Sequence, residues 1–411
     1  VTGSTDSNVF PAGNVTLLSA GQTIDLPFHE YLMDMDVEVV SKSSWTGRLK
    51  LFDHQGDRLE QIIIAAGHDR DIDVQWGWAD PTNNFQRQFH GSVMGYALEF
   101  MPHGSVVNFE VVSRSAFSQV IDRRIRSFQE GQRVSDIVRE IAQSRGWTVQ
   151  IEDSVGFIEQ PFNSKGESDL NFILEQLLPH AVSEQGSDFL CYFDEADVFH
   201  FHSPFFGTPV QHSYNFTRDA SGDVIMFSPQ DNQLFGALFG GGNSLYSSPT
   251  SLQGGQAEQQ TAQGAGLNGQ GAPAAVDASA QVDLGAGVHS YNNIVARDPA
   301  EVERLTRARY AEYRRKAFKA NLRVHGTHRV RVSDYVNVDF TKTDGTPHYL
   351  SGNFLVLRVK HTVGVGLGWT TEFEMQREGI EALPGTVPLA VTQTVSPQPG
   401  GDDDDLTLTA T

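Results

Sequence analysis

The chain has 411 residues, with 30 Lys and Arg against 51 Asp and Glu, and a formal net charge of −21. So acidic a chain is poorly suited to gripping nucleic acid by its phosphates or to lying on an anionic membrane, because both depend on clustered Lys and Arg. Its one cysteine, Cys191, excludes an intramolecular disulfide and a thiolate-rich metal site, and fits a reducing compartment.

No run reaches the roughly 18 apolar residues of a membrane span, which predicts no membrane insertion by this chain. The first residues, from Val1 to Asp6, have neither a basic region nor an apolar core, which predicts no signal peptide. Residues 1–30 are Gly-, Ser- and Thr-rich and read as an N-terminal arm. Residues 31–116 have period two. Met33, Met35, Val37 and Val39 alternate with Asp34, Asp36 and Glu38, and runs at 48–52, 61–65, 71–78, 95–101 and 106–112 follow. About six short strands punctuated by Gly-Asp and Asp-Pro predict a small β-barrel or sandwich.

The period changes in residues 117–205, which predict an α/β insert. Val134, Ile137, Val138, Ile141 and Ala142 recur at helical spacing up to Gly146. Ser168 caps a second helix carrying Leu170, Ile173, Leu174 and Leu177, and Pro179 ends it. A hairpin is expected around Asp194-Glu195-Ala196-Asp197. Residues 206–235 connect, with one strand at 224–227. Residues 236–292 are rich in Gly, Ala and Gln and read as a linker, or an insertion that orders only on a partner. Residues 293–382 open on Asp298-Pro299-Ala300-Glu301, which starts a basic helix, and continue as a second antiparallel β-barrel. Residues 383–411 form an acidic tail ending in the Asp402 to Asp405 run. The fold class is therefore mainly β with an α/β insert and two small barrels.

Few residues carry a chemical signal. Gly264, Gly266 and Gly269 spell a dinucleotide fingerprint, but without the preceding strand that motif needs. His200 and His202 share one face of a strand and suit zinc, though further ligands are not identifiable; as ordinary strand histidines they need no metal. Asp34/Asp36 and Asp194/Asp197 have the residue types of a glycosidase pair, yet chain spacing does not set the carboxyl separation that mechanism needs. Cys191 lies in an apolar strand and reads as a small buried hydrophobe. No cofactor, metal or catalytic residue is assigned. The basic patches stand out against the acidic whole. Arg123, Arg124, Arg126, Arg133, Arg139 and Arg145 form one, with Arg123, Arg124 and Arg126 the candidate interface residues in it, and Arg304, Arg307, Arg314, Arg315 and Lys316 the other. They are either solvated faces or docking surfaces for acidic partners.

Three stretches carry a resemblance. Residues 128–138, with Gly131, Asp136 and Ile137, are similar to a "G-x-t-x-x-d-I" insert opening. Gln160 to Asn163, followed by Glu167 to Ile173, is similar to a "q-x-x-x-S-D-x-x-F-l" helix. Residues 322–326, 351–356, His361 and 370–373 are similar to a final barrel with a "G-x-y-x-V-x-x-v-x-H" strand. Together, over residues 118–202 and 298–378, they resemble baseplate hub proteins of contractile phage tails, the late-control-D type and the hub portion of VgrG spikes. One departure is Ser333, where the family carries a turn glycine.

The resemblance implies a homotrimer whose six barrels form a pseudo-sixfold ring. That ring meets a tail tube or tube-initiator protein on one side and a trimeric central spike on the other, and tape-measure and baseplate-wedge proteins are further partners. It implies a non-enzymatic virion protein of the tail baseplate, assembled in the host cytoplasm, with the genome passing through without specific binding. The acidic balance would line that channel with carboxylates. The alternatives are the distal hub of a non-contractile tail, a type VI secretion spike hub and, in another class, a cell-wall hydrolase or glycan-binding module.

Overall fold

The computed structural model describes residues 11–231 and 318–377 apart from short breaks, the longest at 64–70, 79–86 and 217–223; between them it describes six short strands, Ala308 and Arg315. The first lobe contains β1 (Pro11–Ser19), β2 (Gln22–Pro27), a one-turn helix α1 (Phe28–Tyr31), β3 (Leu32–Val40), β4 (Thr46–Asp53), β5 (Asp71–Trp78), β6 (Arg87–Met101) and β7 (Gly104–Ser113). The insert contains α2 (Arg114–Ile121), β8 (Ser127–Phe128), α3 (Val134–Arg145), β9 (Thr148–Ile151), β10 (Phe162–Asn163), α4 (Asp169–Phe172), β11 (Leu190–Phe193) and β12 (Val198–His202). Then come β13 (Gln211–Phe216) and β14 (Val224–Asp231), and the short strands β15 (Tyr246–Ser247), β16 (Ser251–Gln253), β17 (Gln256–Glu258), β18 (Thr261–Ala262), β19 (Gln281–Asp283) and β20 (Val288–His289). The second lobe closes with β21 (Phe318–His325), β22 (Tyr335–Phe340), β23 (Gly352–Gly364) and β24 (Gly368–Arg377).

Both lobes belong to one 13-stranded sheet, in the order β14-β21-β24-β23-β3-β4-β7-β6-β5-β1-β2, with β22 branching from β23 and β13 from β22. The seam is the antiparallel pair β23–β3, with Lys360 opposite Glu38 and Thr362 opposite Asp36. Alternation sets the two faces: Met35, Val37 and Val39 are buried, and Asp36 and Glu38 point away.

The sheet must roll up. β5 stands five strands from β23 along the path, about 24 Å if the sheet were flat. Yet the Trp76 ring lies 5.6 Å from that of His361, Trp78 lies 5.3 Å from Trp369, and Trp78 Nε1 donates to the Gly326 carbonyl at 2.9 Å. The rolled interior holds Trp45, Trp76, Phe89, Phe109, Phe373 and Met375, each at most 1% exposed. Each such side chain stabilises the fold by roughly 1.5–3 kcal/mol relative to exposure. Gly326 is required where the backbone meets Trp369, because a Cβ there would sit 2.1 Å from the indole.

In the insert, α3 buries Val134, Ile137, Val138, Ile141 and Ala142, the predicted stripe, and ends on Gly146 at φ 71°. Its sheet runs β11-β12-β9, with β12 and β9 parallel. Trp147 packs 5.0 Å from both Phe193 and Phe199.

The architecture is the expected mainly β chain with an α/β insert. Four local expectations change. The stretch read as an arm carries β1 and β2, because Val15, Leu17 and Leu26 supply a buried face that docks on β5. In the run at 61–65 the described residues, 61–63, are helical, with Ile62 buried. The helix capped by Ser168, whose hydroxyl accepts from the Asn171 amide, widens into a π turn at Ile173–Leu177 and tightens to 3₁₀ at Leu178–His180. At Ser333, φ is 77°, so the backbone takes the left-handed form a glycine would favour.

Candidate assembly interface

The predicted docking arginines divide. Arg124 binds the Asp122 carboxylate at 2.7 and 2.9 Å and donates to the Ser144 carbonyl. Arg126 makes a two-pronged pair with the fully buried Asp169, at 2.8 and 2.9 Å. Arg145 completes the knot, reaching Asp169 at 2.5 Å and Asp122 at 2.9 Å. Arg124 holds the Asp122 carboxyl below its usual range, and Arg145 adds to this. These cations tie the α2–α3 loop to α3 and α4, while Arg124 keeps 42% of its side-chain surface. Arg123 is exposed, beside Ile125, which is 86% exposed. Arg315 is helical, buried and paired with Asp188 of the insert, so it is not a surface docking residue. Arg304, Arg307, Arg314 and Lys316 lie outside the described residues, as do the Gly264 to Gly269 motif and the Asp402 to Asp405 run.

The predicted hairpin at Asp194 to Asp197 is the joint between insert and first lobe. Asp197, at φ 61°, accepts from the Ser113 and Ser115 hydroxyls and the Ser115 amide. Glu195 pairs with buried Arg87, and its carbonyl accepts from the His90 amide at 3.1 Å. The Cys191 and Phe193 amides donate to the Ser41 and Ser43 carbonyls, so β11 is stitched to the turn after β3. Tyr192 Oη reaches the second lobe at the Val332 carbonyl, 3.1 Å away. Asp194 accepts from the Ala196 and Val198 amides and from His200 Nε2 at 3.1 Å. Its carboxyl is lowered, burial opposing and the His200 contact outweighing it.

His200 and His202 line a cavity of about 220 Å³ with Tyr192, Phe206 and Asp334. His200 stacks on Tyr192 at 4.6 Å, and burial pulls His202 down to about 4. Among the described residues no group of three or more His, Cys, Asp or Glu is arranged to hold a metal. Cys191 is completely buried, and burial pushes its thiol up. Asp194 and Asp197 are committed to the turn and joint.

Two features of the sheet were not read from the sequence. The first is a charge pattern on its outward face. From β21 to β7 the sign alternates strand by strand: Lys319 and Arg323 on β21, Glu372 and Glu374 on β24, Arg358 and Lys360 on β23, then Asp34, Asp36 and Glu38 on β3, Arg48 and Lys50 on β4, and Glu110 on β7. Arg358 grips Glu38 at 2.7 and 2.9 Å, Lys360 reaches Asp36 at 3.2 Å and Arg323 reaches Glu372 at 2.8 Å. The signal was in the chain, as D-x-D-x-E, R-x-K, R-x-K and E-x-E runs, but their adjacency was not.

The second is a pair of open apolar edges. β5 covers β6 only from Arg87 to Ser92. Beyond that, among the described residues, the outer edge of β6 has no strand beside it, and Met94, Tyr96, Phe100 and Met101 are 43–76% exposed. At the β14 end of the path, among the described residues, β14 pairs only with β21 and exposes Ile225 at 45% and Met226 at 39%. Open apolar edges invite strand pairing with another chain.

No family model and no curated protein matches the sequence. Solved structures do. A tail protein from Neisseria meningitidis MC58 aligns with TM-score 0.56 at 11% identity, over 90% of this chain and 98% of that one. The 43 kDa tail protein of prophage MuSo2 from Shewanella oneidensis aligns with TM-score 0.52 at 12% identity, over 91% and 99%. The chain thus shares its overall fold with these tail proteins.

Proposed function

We propose that this chain is a structural hub of a phage tail, a ring-forming adaptor between a sixfold tail tube and a trimeric central spike, with no catalytic role. The observation that carries the reading is the single sheet that spans two β lobes and, among the described residues, leaves an open apolar edge in each, along β6 beyond Ser92 and along β14. Two lobes per chain allow three copies to offer six similar positions. One insert per chain, fixed by the Asp194 to Asp197 joint, presents a threefold set. The fold shared with tail proteins over nine-tenths of the chain supports this. Edges that differ in sequence favour a head-to-tail contact, β6 of one copy against β14 of the next, and such contacts close into rings.

The test is cross-linking. Phe100→Cys and Ile225→Cys together, treated with a short bismaleimide, are expected to give a closed trimer. Cys191 is buried and silent. Either single variant is expected to stay uncross-linked. Equal cross-linking of a single variant would mean like edges meet, which excludes the ring.

A further inference from the structure

Three polar contacts run in line along the wall of the cavity where the insert meets the lobes. Asp194 Oδ2 lies 3.1 Å from His200 Nε2, His200 Nδ1 lies 3.4 Å from His202 Nε2, and His202 Nδ1 lies 2.8 Å from the Ser203 carbonyl. Each contact needs one proton between its two atoms, and the ends of the chain, a carboxylate and a carbonyl, only accept. Two neutral imidazoles bring two N–H groups, one fewer than the contacts require. A third proton therefore makes one ring an imidazolium. The Ser203 carbonyl fixes His202 Nδ1 as a donor, so a neutral His202 accepts at Nε2, and His200 donates from both nitrogens. Burial pulls His202 down to about 4. Burial raises the Asp194 carboxyl, and the His200 contact outweighs it and leaves it below its usual range. Both place the charge on His200.

We infer that the chain of contacts from Asp194 through His200 to His202 is a proton-operated latch on the insert, closed while it holds three protons and opened by a fourth. The latch is built into the joint. Asp194 accepts from the Ala196 and Val198 amides and so shapes the turn that carries Glu195 and Asp197, and Tyr192, stacked on His200, reaches the Val332 carbonyl of the second lobe. A fourth proton sets N–H against N–H across the contact between the rings and puts a second cation beside the first, with ring centroids 5.5 Å apart in a buried site. The surrounding polar groups offer no relief. Glu195 is paired with Arg87, and Glu152 accepts from the Ser203 amide. From the second lobe, Arg331 and Asp334 line the same cavity, Asp334 accepting from the Arg331 amide and lying 3.2 Å from His212 Nε2. Gln150 stands opposite His200 on β9. Among the described residues none of these side chains is hydrogen-bonded to either ring. The latch lies within one chain and needs no ring of subunits.

The experiment reads the protons and the joint together, on the full-length protein. Histidine ring nitrogens are followed by proton–nitrogen correlation NMR as the pH is lowered from neutral, with signals assigned by His200→Gln and His202→Gln. At neutral pH His200 is expected to carry protons on both nitrogens and His202 on Nδ1 alone. On acidification His202 is expected to gain its second proton. Over the same range, from about pH 6.5 to about 4.5, exchange of the Cys191 and Phe193 amides, corrected for intrinsic rate, is expected to rise by about tenfold or more as their bonds to Ser41 and Ser43 open. In His202→Gln, whose amide offers one acceptor and one donor but takes up no proton, that rise is expected to vanish. A neutral His200 at neutral pH, a His202 with its proton on Nε2, or an acid-induced rise that survives in His202→Gln overturns the latch. If His200→Gln does not fold, His202→Gln still identifies both rings, because its spectrum lacks one and shifts the other.

Discussion

Ser333 sits at φ 77° in the turn between Arg331 and Asp334, where Asp334 accepts from the Arg331 amide and the Ser333 amide bonds the Val356 carbonyl. An L residue in that region costs roughly 1–2 kcal/mol, and glycine gives back part of this as chain entropy. Ser333→Gly is expected to stabilise the protein by about 0.5–1 kcal/mol in urea unfolding; a loss of stability would show that the hydroxyl matters more than the backbone. His202 and His361 are buried neutral, His202 at about 4 and His361 well below its usual value, burial being the first cause for both. The unfolded chain binds these protons near pH 6.5 and the folded one does not. Stability is therefore expected to fall as pH drops from about 6.5 towards 4, with about 3 kcal/mol from His202 alone. His202→Gln should flatten that part of the profile in thermal melts taken between pH 7 and 5.

At the scale of the element, the joint matters more than its parts. The Asp194 to Asp197 segment reads in the sequence as a hairpin turn, since three acidic residues and an alanine stand between two apolar strands. Its role comes from Ser113, Ser115 and Arg87, which are 84, 82 and over a hundred residues distant in the chain from their partners and have no motif of their own. Asp197→Gly keeps the positive φ and removes the carboxylate. It is expected to destabilise the insert–lobe contact by about 2 kcal/mol. The buried Cys191, whose amide is bonded to Ser41 across that contact, should then react with a maleimide more than tenfold faster. An unchanged rate would mean that β11 holds the insert by itself. The arginine knot has the same lesson: Asp122, which pairs with Arg124, is near in sequence, but Asp169, which neutralises Arg126 and Arg145, is not.

At the scale of the whole molecule, local periodicity decided element type and burial. The alternation in β3, the helical stripe of α3 and the Ser168 cap were legible because each depends on neighbours within a few residues. So was the division into two β regions around an α/β insert. The same locality explains the misses. Residues 11–27 form strands through their docking on β5, while their own composition reads as loop. The union of the two lobes rests on β3 pairing with a strand more than 300 residues later, and the balanced face exists only because that pairing sets Lys360 beside Glu38 and Asp36. Alternating side chains along one strand obey a period built into the peptide. Which strands become neighbours depends on how the apolar faces close around Trp76, His361 and Trp369, a choice made by packing over the whole chain and written in no single segment of it.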